Sequence, residues 1–384
     1  MRTILPASVF ERLHPLRQLE HAQAKVIPES DIVVSPDTRQ VDLNSRSFAV
    51  SLIATSFNEE DTVADWLEAL SGFDFLPDEI VLCDGGSTDR TCARIHEWLR
   101  ARAPEGLLSP TCRVIFLEGQ KLNIAQGRNC AVRASKGDVL AFTDLGAEPK
   151  ADWLRKVVAP FQLDDKLQFV MGWYEVETSS ELARGVSTIL VPRLENINPS
   201  TFLPSARSFA IRRPLFLQLG GYPEYLTRAG EDTLFDVSLK KTRARGAFVP
   251  EAVVAWSFPN SLSSIFRKIY DYSLGDGEAK ELFLDLYVQR LREVLCLVFD
   301  LTLLLLSIVV CFYAPSFLTI LIVILLLTNS LISVDRTLRP LVNHLRVVGG
   351  VSDRSALVGA TLIAFAQAFG FLRGWMGKSE KGLN

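Results

Sequence analysis

The chain has 384 residues, enough for one catalytic domain of roughly 230 to 250 residues plus appendages. A formal charge of -3 and a pI near 5.9 offer nucleic acid no global attraction, and there is no basic stripe with interleaved aromatics. Mean hydropathy is +0.20 although 22% of the residues are charged, so the apolar residues must be segregated, and they concentrate towards the C-terminus.

Residues 1–46 mix Pro, Arg, Gln and Asp with short apolar patches. They lack a long apolar core, so neither a signal peptide nor a leading membrane span is expected, only an extension packing loosely on the catalytic domain or a membrane surface. Phe48 to Ser56 reads as a buried strand, followed by an amphipathic helix from Glu59 to Leu70 with Val63, Trp66, Leu67 and Leu70 at helical spacing. Ile80 to Cys83 is a second buried strand. It runs into Asp84-Gly-Gly-Ser-Thr-Asp89, whose hydroxyls and acid can cap a helix from Thr91 to Arg100. A loop with Ala103-Pro-Glu-Gly106 and Ser109-Pro110 precedes a third strand, Arg113 to Leu117. Asn123 to Ser135 is then a helix carrying Arg128 and Asn129, and Gly137-Asp138 turns into a fourth strand ending at Asp144. Strands alternating with helices through short links predict a parallel α/β sheet. Asp84 and Asp144 then stand at its carboxyl edge, where such sheets bind ligands.

Leu167 to Val176 is a further strand and Glu181 to Glu195 a helix or lid. Phe202 to Pro214 passes from a polar turn into a strand with a basic end. Ser205 and Arg207 in that turn could bind a phosphate or diphosphate, Arg being suited to bidentate oxygen contacts, or Arg207 could pair with an acid inside the fold. A tight turn at Gly220-Gly-Tyr-Pro-Glu224 leads to Gly230-Glu-Asp-Thr233, an acid pair that also suits a helix N-terminus. The six cysteines have no CxxC or metal-finger spacing and read as buried free thiols in a reducing compartment. Four scattered histidines without HExxH pairing argue against zinc.

Ser261 to Tyr272 predicts an amphipathic helix with Leu262, Ile265, Phe266, Ile269 and Tyr270 on one side, ended by Gly275-Asp-Gly277. Val294 to Tyr313 and Phe317 to Val334 each approach the roughly 20 residues that cross hydrocarbon, so they predict a transmembrane hairpin. Its loop, Ala314-Pro-Ser316, is uncharged, while Arg336, Arg339, Arg346 and Arg354 lie beyond the second span, so both ends of the hairpin should face the cytoplasm. Asp300 inside the first span should face protein, water or a headgroup. A third apolar segment, 356–372, contains Gln367 and is either a span or a re-entrant or interfacial helix; Lys378 and Lys381 beyond it favour the second option.

Taken in this order, the motifs resemble the family 2 glycosyltransferases of the GT-A fold, in which a nucleotide sugar lies across the ends of the first strands. The resemblance runs from Phe48 to about Glu278 and includes Gly127-Arg-Asn129 and Leu203-Pro-Ser-Ala-Arg207. It implies a GT-A catalytic domain over 47–280, an extension at 1–46 and a membrane region at 281–384. One departure stands out: the family's Asp-any-Asp is Asp144-Leu-Gly146 here. A family variant with glycine there, followed by Pro and Asp-Trp-Leu, is similar to Thr143 to Pro149 and Asp152-Trp-Leu154.

The roles implied are Asp84 at the nucleobase, Asn58 and Glu59 near the nucleoside, and Arg128 near donor phosphate or sugar. Asp144 would hold Mg2+ or Mn2+ with the phosphates and waters completing the octahedron, Glu148 being a conceivable second contact. Ser205, Arg207 and Glu231 would line the acceptor side, and Asp232 would be the base. The function implied is an inverting transfer from a nucleotide-sugar donor to a lipid-linked saccharide or glycolipid, at the cytoplasmic face of the inner membrane and in contact with its lipids, in polysaccharide or glycoconjugate synthesis. The alternatives are a polyprenyl-phosphate sugar synthase and a non-catalytic scaffold or binding subunit that keeps the fold. A processive synthase is disfavoured because the Gln-any-any-Arg-Trp helix is missing. No Gly-any-Gly-any-any-Gly or Walker loop supports an oxidoreductase or a nucleotide hydrolase.

Overall fold

The computed structural model describes residues 31–38, 41–102, 111–279 and 284–377. The expected loop at 103–110, most of the N-terminal extension, and Lys378 and Lys381 lie outside them. The strands are β1 (Ile32–Val34), β2 (Val50–Ser56), β3 (Glu79–Asp84), β4 (Arg113–Leu117), β5 (Val139–Asp144), β6 (Ala147–Pro149), β7 (Phe169–Glu177), β8 (Phe209–Arg212) and β9 (Gly246–Ser257). The α-helices among the described residues are α1 (Val63–Ser71), α2 (Thr91–Arg102), α3 (Ile124–Ala134), α4 (Trp153–Leu163), α5 (Glu181–Leu190), α6 (Arg213–Gln218), α7 (Glu231–Lys241), α8 (Leu262–Glu278), α9 (Leu284–Tyr313), α10 (Phe317–Val347) and α11 (Asp353–Met376). The described chain forms two compact units, one from 31–177 with 193–257 and the other from 178–192 with 258–377.

The first unit is built on a single mixed sheet in the order β1-β9-β7-β8-β5-β2-β3-β4, with β6 paired to β9. Central strands β2, β3 and β5 are parallel and buried on both faces, which is why they read as unbroken apolar runs. Trp66 of α1 and Trp153 of α4 are fully buried in the core on one face. Phe142, Phe209, Phe216, Tyr222 and Phe235 stack into an aromatic core on the other. Burying each such ring is worth about 1.5–3 kcal/mol.

Two features differ from the sequence expectation. Residues 32–34, inside the stretch read as a loose extension, form β1 and pair in parallel with the start of β9. And β8 is antiparallel to both β5 and β7. Its direction is set at its end: Arg213 donates to the Gly137 carbonyl, the Val132 carbonyl and Ser135 Oγ, fixing the end of β8 at the amino edge of β5.

The second unit holds α5 and the four C-terminal helices. α9, α10 and α11 contain three segments long and apolar enough to cross a membrane by length and composition. Asp300 in α9 accepts a hydrogen bond from Ser333 of α10, so this acid has a partner within the helix pair. α8 includes Gly275-Asp-Gly277 and ends one residue later, at Glu278, as the sequence leads one to expect. A Cβ at Gly277 would lie 2.2 Å from the Phe371 carbonyl oxygen, so the glycine also serves close helix–helix approach.

Candidate active site

Strands β3 and β5 flank β2, and their register brings Asp84 opposite Ser56 and Asp144 opposite Thr55. Both acids therefore end at the same carboxyl edge, two strand spacings or about 10 Å apart. Asp84 is almost fully buried. Its Oδ1 accepts from Ser56 Oγ (2.9 Å) and Ser87 Oγ (2.6 Å), and its Oδ2 from the Gly86 and Ser87 amides (both 2.8 Å). Burial alone would raise this carboxyl, but the bonds from Ser87, Gly86 and Ser56 together hold it below the usual carboxylate range. Gly85 is required beneath the turn, since a Cβ there would lie 2.9 Å from the Leu122 carbonyl oxygen.

The turns after β2 and β3 lace together. Asn58, at a φ of 56°, donates its amide to Ser87 Oγ (2.8 Å), and its Oδ1 accepts from the Thr88 amide (2.8 Å). The Glu59 amide donates to Thr91 Oγ1 (2.8 Å), the Glu60 amide to Asp89 (3.1 Å), and the Arg90 amide to Glu60 Oε2 (3.0 Å). Glu59 and Glu60 take part in this lacing and 59–62 close a local turn, the Thr62 and Val63 amides both donating to the Glu59 carbonyl, so α1 begins at Val63 rather than at Glu59.

The centre of the edge is an ion cluster. Arg128 of α3 donates from Nη2 to Asp144 Oδ1 (2.7 Å) and from Nη1 to Glu231 Oε1 (2.5 Å), its side chain only 3% exposed. Burial lowers the affinity of its guanidinium for the proton, yet Asp144 and Glu231 outweigh this and hold it charged. For Glu231, burial and then the adjacent Asp232 push the carboxyl up to about 7, against the pull of Arg128. Asp232 follows at the start of α7, half-buried, accepting from the Thr233 amide (2.8 Å). Tyr222 packs under the guanidinium, 5.3 Å from ring centre to Cζ.

The Gly127-Arg-Asn129 run has one task per residue. Gly127 lets α3 approach β2, because a Cβ would stand 3.2 Å from Thr55 Cγ2. Arg128 makes the cluster. Asn129 clamps the 221–224 turn, accepting from the Tyr222 amide (2.9 Å) and donating to the Tyr222 carbonyl (2.8 Å) and Glu224 (2.9 Å). Gly221, at a φ of 76°, leaves room for that side chain.

Arg207 approaches from the loop before β8. Its Nε is 3.9 Å from Asp144 Oδ2, Nη1 donates to Ser205 Oγ (2.9 Å), and the guanidinium lies 4.3 Å over Trp256 and 5.6 Å from Tyr174. Thus Arg128, Asp144, Ser205, Arg207, Glu231 and Asp232 form one constellation. Asn58, Glu59 and Asp84 adjoin it along the strand ends, while Glu148 pairs within β6 on the exposed side. Sequence does not single out Tyr174, Tyr222 or Trp256; an aromatic inside an apolar strand carries no mark that it will face an arginine.

Among the described residues no group of three or more His, Cys, Asp or Glu could cage a metal. Asp144 offers one carboxylate beside a glycine. At Gly146 a Cβ would stand 3.2 Å from Glu59 Oε1, so that carboxylate, not a residue 146 side chain, occupies the neighbouring space. This donor set fits an octahedral cation only if phosphate and water supply most of its oxygens, which is how Mg2+ is held beside diphosphates.

Residues 51–219 match the model of "Glycosyl transferase family 2". A comparison with curated proteins finds no match. Among solved structures, a mannosyltransferase from Pyrobaculum calidifontis, in complex with GDP-Man and Mn2+, is similar at 18% identity over 93% of this chain and 96% of its own, with a TM-score of 0.50. The S. aureus protein TarS (residues 1–349), in complex with UDP, is similar at 18% identity over 59% of this chain and 65% of its own, with a TM-score of 0.42. A glucosyl-3-phosphoglycerate synthase from Mycobacterium tuberculosis, in complex with Mn2+ and UDP-glucose, gives 19% identity over 62% and 80%, with a TM-score of 0.40. At these identities the mannosyltransferase likeness carries the fold, and the family match carries the class. The acid-lined sheet edge thus lies in a domain of GT-A-like fold, and residues 51–219 within it carry the glycosyltransferase family 2 match that marks the chain as a glycosyltransferase.

Proposed function

We propose that the chain is an inverting glycosyltransferase that moves a sugar from a nucleotide-sugar donor to a lipid-linked saccharide or glycolipid at the cytoplasmic face of the inner membrane, within polysaccharide or glycoconjugate synthesis. The observation that carries this reading is the Asp144–Arg128–Glu231 cluster, which ties the first turn of α7, and Asp232 with it, to the end of β5. The laced turns of Asn58, Glu59 and Asp84 form the nucleoside wall. Asp84 acts there by holding the 85–87 turn in shape, because all four of its described bonds go to that turn and to Ser56.

In the transfer, Asp232 takes the proton of the acceptor hydroxyl while that oxygen bonds to the anomeric carbon. The bond from that carbon to the diphosphate breaks on the opposite face, and nucleoside diphosphate leaves with the electron pair. Arg128 positions Asp144 and Glu231, and Arg207 with Ser205 binds phosphate oxygens on the acceptor side. Asp144 is the residue that would hold Mg2+ or Mn2+, which when bound would supply neutralisation of the departing diphosphate. The mannosyltransferase complex with GDP-Man and Mn2+ supports a divalent ion at such a site.

The test is nucleotide release by detergent-solubilised protein supplied with UDP-, GDP- or dTDP-sugars and lipid extract. One donor class should turn over, chelation should stop it, and Asp232→Asn should lower kcat about 10²–10⁴-fold with nucleotide binding retained. Full activity of Asp232→Asn would remove the base from the mechanism and favour a phosphate acceptor, which needs none.

A further inference from the structure

The three apolar C-terminal helices are not equivalent. The apolar stretches of α9 and α10 expose most of their side chains, Phe312 at 82% and Phe317 at 84% being the extremes at the loop that joins them. More than half of the apolar stretch of α11 is buried against protein. Its cover is polar-bearing. α8 packs along its C-terminal half, with backbone approaches that only glycine permits: a Cβ at Gly370 would lie 2.4 Å from the Tyr270 carbonyl oxygen, and one at Gly374 2.1 Å from that of Leu274. That partner carries Arg267, Lys268, Asp271, Asp276 and Glu278, five charges in 17 residues. Holding them at the bilayer centre would cost at least about 2.5–3.5 kcal/mol per cation or Asp, so α8 lies outside hydrocarbon.

The other half of α11 is held in a similar way. Glu181 of α5 accepts from the Ser352 amide, from Ser352 Oγ (3.1 Å) and from Ser355 Oγ (2.8 Å), capping the helix start. Gly359 faces Leu182 and Val186 of the same helix, which also exposes Arg184. The register of 370 with 270 and 374 with 274 sets 362–376 beside α8. Only about nine residues, or about 14 Å of helix, remain before it, less than half of a roughly 30 Å hydrocarbon core. Upstream, Asp335, Arg336 and Arg339 already mark where α10 leaves the apolar zone, and Arg346 pairs with Asp353 (2.7 Å) across the bend into α11.

We propose that α11 does not cross the membrane. Only α9 and α10 span it. α5, α8, α11 and the last turns of α10 form a layer at the water–lipid boundary, with Leu357, Val358, Phe369, Trp375 and Met376 of α11 exposed towards the acyl surface. Four residues linking β9 to α8 are too few to cross hydrocarbon, so on this proposal the end of α11 lies on the same side of the membrane as the end of β9.

The test uses the full chain in sealed vesicles with one protease site inserted either at 314–316 or after Asn384, each with a terminal tag, and sidedness set by an epitope at 118–121. Protease on the epitope's side should remove the C-terminal tag completely and leave the 314–316 site intact; protease on the other side should do the reverse. A C-terminal tag cut only from the side that cuts 314–316 would overturn the proposal. The insertion at 314–316 falls in the turn between α9 and α10, and a Gly374→Leu variant, which forces α8 and α11 apart, provides a second reading. It should lower the melting temperature in detergent. An unchanged melting temperature would also count against the packing on which the proposal rests.

Discussion

Replacing Arg128 by Met tests the cluster most directly. The guanidinium is 3% exposed and serves two carboxylates at 2.5 and 2.7 Å; methionine keeps much of the apolar stem and removes all five donors. Glu231 and Asp144 then face each other without a counter-charge. Breaking a buried pair by removing one partner costs about 3–5 kcal/mol, and for a unit of this size 1 kcal/mol moves the melting temperature by about 2–4 °C, so the loss should be about 6–20 °C. The loss should also depend on pH. Glu231 already has its carboxyl raised to about 7 by burial and by Asp232, and Arg128 is the group pulling it down, so the variant raises it further. An acid whose folded pKa lies above its unfolded value contributes stability that is fully present below the unfolded value and is lost as pH climbs through the folded one. Arg128→Met should therefore come closest to the parent near pH 5 and fall furthest behind above pH 7. Adding Glu231→Gln should restore part of the stability, by about 0.5–3 kcal/mol, because neighbours in one network are not additive. Thermal unfolding in detergent from pH 5 to 8 reads all three effects. A single variant within about 1 °C of the parent at pH 7.5, or a double variant no better than the single, would refute the idea that this arginine neutralises buried charge.

The same geometry sets three other outcomes. Asp84→Asn presents an amide where four donors converge, which should cost about 1–3 kcal/mol. Because the folded carboxyl is held low, the stability it contributes is present above the usual carboxylate range and lost as pH falls through its folded pKa, so the variant should lose that acid-labile component, as read by acid titration of tryptophan fluorescence. Gly277→Leu drives a side chain into the Phe371 carbonyl and should destabilise the helix layer by about 1–3 kcal/mol or more without changing nucleotide binding by the detergent-solubilised chain. Gly85→Ala, with its Cβ 2.9 Å from Leu122 oxygen, should weaken nucleotide affinity and leave the melting of the helix layer unaltered.

Strands and helices of the catalytic unit are legible in the sequence because their periodicities are unforced: β2, β3 and β5 are buried on both faces and α3 opens with a full capping box at Asn123. Acids at strand ends are legible for the same reason, since alternation fixes which edge they reach. How they are spent is not. The resemblance implies Asp84 at the nucleobase and Arg128 near donor phosphate or sugar; what the structure adds is that the Asp84 carboxylate closes a turn and that Arg128 is buried between Asp144 and Glu231. The arginine's partners lie 16 and 103 residues away, which no local pattern specifies, whereas Asp84 is closed mainly by Gly86 and Ser87, two and three residues on, through a turn whose geometry the sequence does not print.

Glycine carries a second role that the sequence does not show. Gly275 and Gly277 look like a helix stop, because glycine in isolation costs a helix about 1 kcal/mol relative to alanine. In α8 that cost is offset by the close packing against Phe371 and Trp375 that a bare Cα permits. Gly370 and Gly374 repeat the device from the other side, and hydropathy alone cannot register it, since a glycine-lined face scores as apolar whether it meets lipid or another helix. The same reasoning separates α11 from α9 and α10: all three pass a test of length and apolarity, but the small-residue face of α11 is matched to a charged helix. Where that charged helix must stay wet, its partner stays at the boundary with it.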